Sequence, residues 1–266
     1  MVAFAANSLL CRIALRDTAI DAASFTLIRV AAGAIALALI VRARAGAASG
    51  PSGNWPSAAA LFAYAVFFSY SYLTLSAGTG ALLLFGAVQA TMIGYGLWRG
   101  ERFSAAQLAG LALAIGGLVY LLSPGIAAPP ALGASLMILA GIAWGIYSLR
   151  GKGAGDPTRV TAGNFARAVA FAAALSVATF PWMSLDPVGA LYAVASGAIA
   201  SGVGYAIWYT ALKGLRATTA ATVQLSVPAI AALGAIVFLG EPLTQRFVLA
   251  AAAILGGIAL VVLTRR

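Results

Sequence analysis

Residues 224–241 read Gln-Leu-Ser-Val-Pro-Ala-Ile-Ala-Ala-Leu-Gly-Ala-Ile-Val-Phe-Leu-Gly-Glu. This stretch is an apolar run with a glutamine and a proline near its start and Gly240-Glu241 at its end. Another apolar run stops at the same dipeptide, Gly100-Glu101, 140 residues earlier. Both runs are long enough to form buried helices that end at the glycine. The dipeptide therefore gives a register in which the two halves of the chain can be compared.

Other residues follow this register. The pair Gly116-Gly117 recurs as Gly256-Gly257, again 140 residues later. Two arginines recur at an offset of 138 residues, Arg12 as Arg150 and Arg29 as Arg167. Because the chain holds only 16 basic residues, chance accounts poorly for these matches. The pattern predicts a tandem repeat.

The composition predicts an integral membrane protein. Hydrophobic residues make up 62% of the chain, charged residues 8%, and the mean hydropathy is +0.99. A soluble domain of this size does not reach such values. Although the net charge is +10, no nucleic-acid partner is predicted, because the basic residues lie singly between apolar runs and form no basic face. The chain has no histidine and one cysteine, so neither a metal nor a cofactor is predicted. The cysteine, Cys11, is expected to be a small buried residue.

Ten apolar runs have the length needed to cross a hydrocarbon core of about 30 Å. Residues 1–122 hold five of them, a charge-free linker covers 123–130, and residues 131–266 hold the other five. The predicted spans are Met1–Leu15, Ala22–Val41, Ser57–Leu75, Gly80–Trp98, Ala105–Leu122, Ala131–Leu149, Thr161–Phe180, Gly189–Leu212, Ala217–Leu239 and Phe247–Leu263. Since each half has an odd number of spans, the predicted fold is all-α, with ten transmembrane helices in two inverted five-helix repeats.

The first predicted span is short. Its counterpart begins at Ala131, so by the offset of 138 residues about seven residues of this span are expected to precede Met1. The N-terminus lacks the basic region and the small-residue cleavage site of a secretory signal. We therefore expect the first run to be a retained span.

The basic residues predict the orientation, because short loops rich in Lys and Arg stay in the cytoplasm. Three of them, Arg12, Arg16 and Arg246, fall on one side of the predicted membrane. Eleven fall on the other side: Arg42, Arg44, Arg99, Arg102, Arg150, Lys152, Arg159, Lys213, Arg216, Arg265 and Arg266. Both termini are therefore expected in the cytoplasm, with the protein in a bacterial inner membrane.

With these features the sequence resembles the EamA-type branch of the drug/metabolite transporter superfamily. The resemblance rests on the ten spans in two halves, the Gly-Glu and Gly-Gly pairs, and Pro228. Within the superfamily, the bacterial amino-acid exporters are the most similar group. The resemblance implies a central cavity lined by spans one, three, four, six, eight and nine, with spans five and ten at the periphery. Position 88, the counterpart of Pro228, is valine, so a proline break is expected only in the second half.

Aromatic and amide side chains on the predicted cavity helices are the candidate binding residues. The aromatic residues recur at spacings of three and four, which places each set on one helical face. Such walls with a few polar groups suit a small amphipathic ligand, although helix packing explains them equally well. The candidates are Asn7, Tyr64, Phe68, Ser71, Gln89, Trp144, Tyr147, Tyr205, Trp208 and Gln224. Four aromatic residues nearer the span ends are assigned to interfacial belts: Tyr72, Tyr95, Trp98 and Tyr120.

Arg29 and Arg167 are the only charges well inside the predicted spans. A guanidinium there could bind a substrate carboxylate, but the symmetry of the two positions favours snorkelling to headgroups or ties to backbone carbonyls. All six acidic residues fall in loops or at span ends, so no ion-coupling carboxylate is predicted at mid-membrane.

Two further features concern helix shape. Pro228 removes a backbone hydrogen bond near Gln224, which predicts a bend that acts either as a gate or as a static kink. Small residues four apart predict close helix approach at Gly96 and Gly100, Gly141 and Gly145, and Ala253 and Gly257.

The predicted function is a secondary transporter that exports small amphipathic metabolites by alternating access, with amino acids as the first choice. Its partners would be a small-molecule substrate and the lipid bilayer. One alternative keeps the fold and changes the cargo to drugs, other xenobiotics or nucleosides. An intramembrane lipid-modifying enzyme would need clustered acids or histidines near the interface, which the sequence does not offer, so no enzyme is predicted. A structural scaffold would not explain the aromatic faces on repeat-related helices.

Overall fold

The computed structural model describes residues 1–44, 52–100, 102–125, 128–151, 155–212 and 223–264. All regular secondary structure within these ranges is helical. Predictions that involve Glu101, Lys152, Lys213, Arg216, Ala217, Arg265 and Arg266 lie outside the described residues.

The first part of the chain forms α1 to α5, and a second series of helices follows the linker. The bounds are α1 Val2–Asp17, α2 Ala22–Arg44, α3 Trp55–Ser71, α4 Ala77–Trp98, α5 Ala105–Leu122, α6 Ala131–Arg150, α7 Pro157–Ala178, α8 Pro187–Val194, α9 Gly204–Leu212, α10 Ser226–Leu239 and α11 Gln245–Leu263. A short 3-10 turn, Phe180–Trp182, follows α7. A π-helical segment, Ala195–Val203, joins α8 to α9, and we call this continuous unit the α8–α9 rod.

Seven of the described helical units are long and apolar enough to cross a membrane. They are α2, α4, α5, α6, α7, α11 and residues Pro187–Trp208 of the α8–α9 rod. The helix α10 is apolar but has only 14 residues. The chain is therefore an all-helical integral membrane protein with several membrane-spanning helices.

Local sequence sets where the helices begin and end. Ser104 and Gln107 form a capping box at the start of α5, in which each side chain accepts a hydrogen bond from the other residue's backbone N–H. Asp186 accepts a hydrogen bond of 2.7 Å from the backbone N–H of Gly189 at the start of α8. Gly240 ends α10 with a φ of 61°, a conformation that favours glycine. The polar residues between apolar runs thus satisfy backbone groups that the helices leave free.

The helices of the two halves interleave. The helix α2 packs against α7, and α5 packs against α11. The helix α6 packs against α3 and α4, while α1 packs against the α8–α9 rod and α10. Large side chains fill the space between them and are essentially inaccessible to solvent, among them Phe25, Phe68, Tyr72 and Met137.

One glycine of each Gly-Gly pair lies in the contact between α5 and α11. A Cβ atom on Gly117 would come within 2.8 Å of the Cβ of Ala253, and one on Gly257 would overlap the carbonyl oxygen of Gly110. Their neighbours in sequence, Gly116 and Gly256, have nothing within 4 Å of a Cβ atom. The predicted close approach at Ala253 and Gly257 is therefore confirmed.

The other small-residue spacings have different outcomes. Gly141 and Gly145 of α6 lie against α4, where a Cβ atom on Gly141 would come within 2.6 Å of the carbonyl oxygen of Leu84. The packing role predicted for Gly100 is wrong. That residue has a φ of 89°, and none of the described residues lies within 4 Å of a Cβ atom placed on it, so its backbone conformation explains the glycine.

One aromatic residue assigned to an interfacial belt belongs instead to the core. Tyr72 is 0% exposed, its ring centroid lies 4.8 Å from that of Phe68, and its hydroxyl donates to the carbonyl oxygen of Ala77. Because α3 ends at Ser71, Tyr72 is near a helix end as predicted, but this end is covered by α4. Trp98, at 80% exposed, has the exposure that a belt residue requires.

Candidate functional site

A buried arginine lies between two aromatic rings at the centre of the helices. Arg29 of α2 is 2% exposed, and its guanidinium carbon lies 5.2 Å from the ring centroid of Tyr64 and 4.7 Å from that of Phe68. Its Nη2 donates a hydrogen bond of 2.9 Å to the Tyr64 hydroxyl. The two rings share one face of α3 because they are four residues apart. The interpretation that Arg29 snorkels to headgroups is therefore wrong.

Asn7 of α1 joins this arrangement through its side-chain amide. Its Nδ2 donates a hydrogen bond of 3.3 Å to the Tyr64 hydroxyl, and its Oδ1 accepts a hydrogen bond from the Ser196 hydroxyl. Asn7 is 5% exposed and Ser196 0%. The Tyr64 hydroxyl therefore has partners on both α1 and α2, and the amide extends the network to the π-helical segment.

Aromatic rings from both halves form one cluster beside this network. The Trp144 ring centroid lies 4.9 Å from that of Tyr64, 5.3 Å from that of Tyr147 and 5.3 Å from that of Tyr205. The Trp144 and Tyr205 rings are stacked, with an interplanar angle of 17°. Phe4 of α1 lies 5.5 Å from Tyr205 and 6.2 Å from Trp208. We call these rings the central aromatic cluster: Phe4, Tyr64, Phe68, Trp144, Tyr147, Tyr205 and Trp208.

The π-helical segment brings the α8–α9 rod close to α2. A Cβ atom on Gly197 would overlap the backbone carbonyl oxygen of Arg29, and one on Gly202 would come within 2.9 Å of the Cβ of Ala36. The π-helical segment therefore needs glycine at the positions that face α2, because a larger side chain would collide with that helix. Such π-helical turns are found frequently at functional sites.

Three predicted site residues have other surroundings: Ser71, Gln89 and Gln224. The Ser71 hydroxyl donates a hydrogen bond of 2.8 Å to the carbonyl oxygen of Phe68 and contacts the sulfur of Met137. Gln89 of α4 is buried, at 6% exposed, as expected for an amide in a membrane helix. Within the described residues, no hydrogen bond or ring contact joins Gln89 or Gln224 to the central aromatic cluster.

The break expected near Pro228 is present. Residues 223–224 are helical, Leu225 forms a turn, and α10 starts at Ser226. The proline nitrogen carries no hydrogen and cannot donate to the carbonyl oxygen of Gln224, four residues earlier. The interruption therefore falls where that hydrogen bond is missing, and the gating role of Pro228 stays a prediction.

Arg167, the repeat counterpart of Arg29, has a different environment. Its Nη1 donates hydrogen bonds of 2.8 Å to the carbonyl oxygen of Ser52 and 2.9 Å to that of Gly163. The predicted tie to backbone carbonyls is thus confirmed for Arg167 but not for Arg29. Symmetry in the sequence does not extend to the roles of these two side chains.

An ion pair links four helices at one end of the molecule. Arg12 Nε lies 3.4 Å from Glu241 Oε1, and Glu241 Oε2 accepts a hydrogen bond of 2.8 Å from the backbone N–H of Ala77. Arg12 Nη1 donates to the carbonyl oxygen of Tyr72 at 2.8 Å. The pair thereby connects α1, the end of α3, the start of α4 and the end of α10. A cavity of about 250 Å³ lies here, and Glu241 is part of its lining.

Asp21 connects two loops at the ends of helices. Its Oδ2 accepts a hydrogen bond of 2.9 Å from the backbone N–H of Ser184, and its own N–H donates to the carbonyl oxygen of Ser184. Partial burial acts to raise the pKa of Asp21, but hydrogen bonds from Ser24, Ser184 and Ala23 outweigh it and lower the pKa. The carboxylate thus holds the segment before α2 against the segment before α8.

Sequence reasoning missed two residues of this region, because it assigned no role to Phe4 or Ser196. For Arg29 it favoured a structural role over binding of a substrate carboxylate. The only signal for Arg29 was its depth, about seven residues or 10 Å inside the predicted span. No short-range spacing relates Phe4 or Ser196 to the cluster, because the three-dimensional packing of α1 and the α8–α9 rod brings them there.

Comparison with known proteins identifies relatives of the chain. Residues 131–263 match the EamA-like transporter family. The chain is similar over its whole length to the uncharacterized protein PA1977 of Pseudomonas aeruginosa, with 57% identity over 265 residues, which cover 100% of this chain and 92% of the relative.

Two similar proteins are exporters. The threonine/homoserine exporter RhtA of Salmonella typhimurium is 35% identical over 130 residues, which cover 46% of this chain and 42% of the exporter. RhtA of Escherichia coli K12 is 34% identical over 151 residues, covering 54% of this chain and 50% of the exporter. These two similarities therefore extend over about half of each protein.

A solved structure supports the fold alone. It is a crystal structure of a protein that is 20% identical to this chain, with a TM-score of 0.70, and the match covers 100% of this chain and 98% of that one. The family match over 131–263, which is half of the chain, shows that the chain belongs to the EamA-like transporter family.

Proposed function

We propose that this protein is a secondary transporter that exports small amphipathic metabolites, amino acids before other solutes, by alternating access. The observation that carries the proposal is the contact of Tyr64, from the first half, with Trp144, from the second half, at 4.9 Å between ring centroids. In secondary transporters built from repeats, the substrate site lies at the interface between the repeats. The central aromatic cluster occupies such an interface and offers apolar surface beside a few polar groups.

The packing supports the proposed layout of ten helices in two inverted repeats, residues 1–122 and 131–266. Exchanging the halves pairs α1 to α5 with α6, α7, the α8–α9 rod, α10 and α11. Under this exchange, the contacts of α2 with α7 and of α5 with α11 map onto themselves. The contacts of α6 with α3 and α4 map onto those of α1 with the α8–α9 rod and α10. Two structurally equivalent halves would produce this pattern.

The similar exporters support amino acids as cargo. RhtA is named for the export of threonine and homoserine, and it resembles this chain over about half its length. Asn7 adds a buried amide beside the rings, which gives hydrogen-bonding capacity for a polar headgroup. In a bacterial inner membrane, the eleven basic residues on one side and three on the other favour cytoplasmic termini.

Counterflow in proteoliposomes tests the proposal. Purified protein is reconstituted into vesicles preloaded with L-threonine, L-homoserine, L-leucine or L-phenylalanine, or with a cationic dye or a nucleoside, and uptake of the labelled solute is followed. We expect accumulation only with an amino-acid preload. Exchange of dyes or nucleosides alone would move the cargo to xenobiotics or nucleosides, and the absence of exchange with every solute would contradict transport.

A substitution in the central aromatic cluster tests whether the substrate passes through it. Trp144→Ala removes the ring that contacts Tyr64, Tyr147 and Tyr205, so we expect counterflow to fall at least about 10-fold. Trp182→Ala is the matched control, because Trp182 is 75% exposed in the turn after α7. Equal rates in the two variants would contradict a substrate path through the cluster.

A further inference from the structure

The positive charge of Arg29 is buried without an acidic partner among the described residues. The acidic residues that the structure describes lie at helix ends, and they are Asp17, Asp21, Asp156, Asp186 and Glu241. The ionisable side chains that act on Arg29 are Tyr64, Cys11 and Tyr205. None of the three is a carboxylic acid. A charge buried without a counter-ion is unfavourable, and inside a membrane protein it marks a functional site.

One edge of the guanidinium is free. Nη2 donates to the Tyr64 hydroxyl, whereas Nη1 is buried and has no hydrogen-bond partner among the described residues. The rings of Tyr64 and Phe68 lie close to the guanidinium. They hold its orientation while leaving the Nη1 donors unused. Unused Nη1 donors on a held guanidinium suit the oxygen atom of an anion such as a carboxylate, because charge-assisted hydrogen bonds to arginine are strong.

We propose that Arg29 binds the carboxylate of the exported solute through Nη1, and so selects solutes with a carboxylate over cationic drugs and neutral nucleosides. This inference rests on the proposed transport function and names the group that would recognise the cargo. The Tyr64 ring contacts both Arg29 and Trp144. A solute with its carboxylate on Arg29 would therefore place its apolar part against Trp144 and Tyr205.

The assignment explains why the two repeat-related arginines differ. Arg167 uses its Nη1 on the carbonyl oxygens of Ser52 and Gly163. That nitrogen is already satisfied by the protein, and the side chain is partly exposed. Arg29 is deeper, has aromatic neighbours and keeps one nitrogen without a partner. A single carboxylate site needs one such arginine.

The test compares each amino acid with its amide in binding and in counterflow. The probes are L-phenylalanine with L-phenylalaninamide, and L-threonine with L-threoninamide, because each amide keeps the side chain and lacks the carboxylate. We expect detergent-solubilised wild-type protein to bind at least one of the two acids about 10- to 100-fold more tightly than its amide. Equal affinities, or no binding of either member in both pairs, would overturn the proposal without any variant.

Two variants and a control complete the experiment. Arg29→Gln should bring the acid-to-amide ratio close to one, and Arg29→Lys should lower it about 10-fold because an ammonium group lacks the planar guanidinium that Tyr64 and Phe68 hold in place. Arg167→Lys should keep the wild-type ratio. A wild-type ratio in the folded Arg29→Lys or Arg29→Gln protein would refute the role of Arg29.

The binding assay separates this inference from the transport proposal. If the wild type shows no counterflow but binds acids in an Arg29-dependent manner, transport fails and the carboxylate site stands. If counterflow is present and Arg29→Gln keeps the wild-type discrimination between acid and amide, the carboxylate site fails and transport stands.

Discussion

Arg12 and Glu241 lie 3.4 Å apart and join the end of α10 to α1, beside a hydrogen bond of 3.1 Å from Arg16 Nη1 to the carbonyl oxygen of Leu239. Both side chains are largely shielded, at 15% and 10% exposed, so water weakens their attraction less than it does for a surface pair. Glu241 also accepts a hydrogen bond from the first residue of α4. In an alternating-access cycle, opening this end of the protein would require these contacts to break.

Glu241→Gln should therefore favour opening at this end. The amide keeps an acceptor for the N–H of Ala77 but removes the charge opposite Arg12. In a Cys11→Ser background, we expect a cysteine introduced at Thr79, which lines the neighbouring cavity, to react several-fold faster with a membrane-impermeant maleimide.

Asp17→Asn is the control for this labelling. Asp17 pairs with Arg16 at the same end of α1, but the two side chains are 44% and 33% exposed, and such pairs contribute little. The same rate increase in this variant would show that any lost charge loosens the region. An unchanged rate in Glu241→Gln would contradict the role of the ion pair in keeping this end closed.

The glycine pairs allow a test with adjacent positions. Gly257→Ala places a methyl group on the carbonyl oxygen of Gly110, so we expect destabilisation by about 1–3 kcal/mol and a lower Tm. Gly256→Ala meets nothing within 4 Å and should leave the Tm equal or higher, since alanine favours helix by up to about 1 kcal/mol. Thermal unfolding in detergent measures both. Equal effects of the two substitutions would contradict the packing of α5 on α11.

Much of the fold could be predicted because apolar length and repeat register are properties of the sequence. The predicted span Ala105–Leu122 coincides with α5. The predicted span Ala131–Leu149 begins with α6 and ends one residue before the last residue of that helix. The π-helical segment, Ala195–Val203, could not be predicted in this way. Its extra residue per turn changes the direction of the side chains without altering the apolar composition of the span.

The aromatic members of the candidate site were predicted from their spacing along one helix, and Asn7 from its amide inside an apolar span. Tyr64 with Phe68, and Trp144 with Tyr147, were identified from their spacing, and the structure brings all four rings together. The sequence offered both carboxylate binding and a structural role for Arg29 and favoured the second, because it shows that the arginine repeats at Arg167 but not what faces each arginine. Whether a deep arginine meets carbonyl oxygens or aromatic rings depends on the neighbouring helices.

Asp21 predicts an acid-dependent loss of stability. Because its pKa is lowered in the folded state, the ionised carboxylate stabilises the protein above the pKa of the unfolded chain, near pH 4, and this contribution is lost as the pH falls through the folded value. Asp21→Asn should therefore lower the Tm at pH 7, and the difference from wild type should shrink below about pH 4.

Ser184→Ala serves as the control for Asp21. The contacts of Ser184 with Asp21 use its backbone N–H and carbonyl groups, which alanine retains. The variant should keep the wild-type change of Tm with pH. A difference between Asp21→Asn and wild type that stays constant from pH 7 to pH 3 would contradict stabilisation by the ionised carboxylate.

Tyr64→Phe removes one oxygen atom that Arg29 and Asn7 share. The ring contact with Trp144 is kept, but Arg29 Nη2 and Asn7 Nδ2 lose their acceptor, which costs about 1–3 kcal/mol for each buried donor left without a partner. We expect a lower Tm and a fall in counterflow of about 10-fold, since the guanidinium is no longer held in one orientation. Tyr70→Phe, on the same helix, should keep both values, because Tyr70 is only partly buried. If Tyr64→Phe transports at the wild-type rate, the hydroxyl serves packing alone and the orientation of Arg29 must come from the two rings.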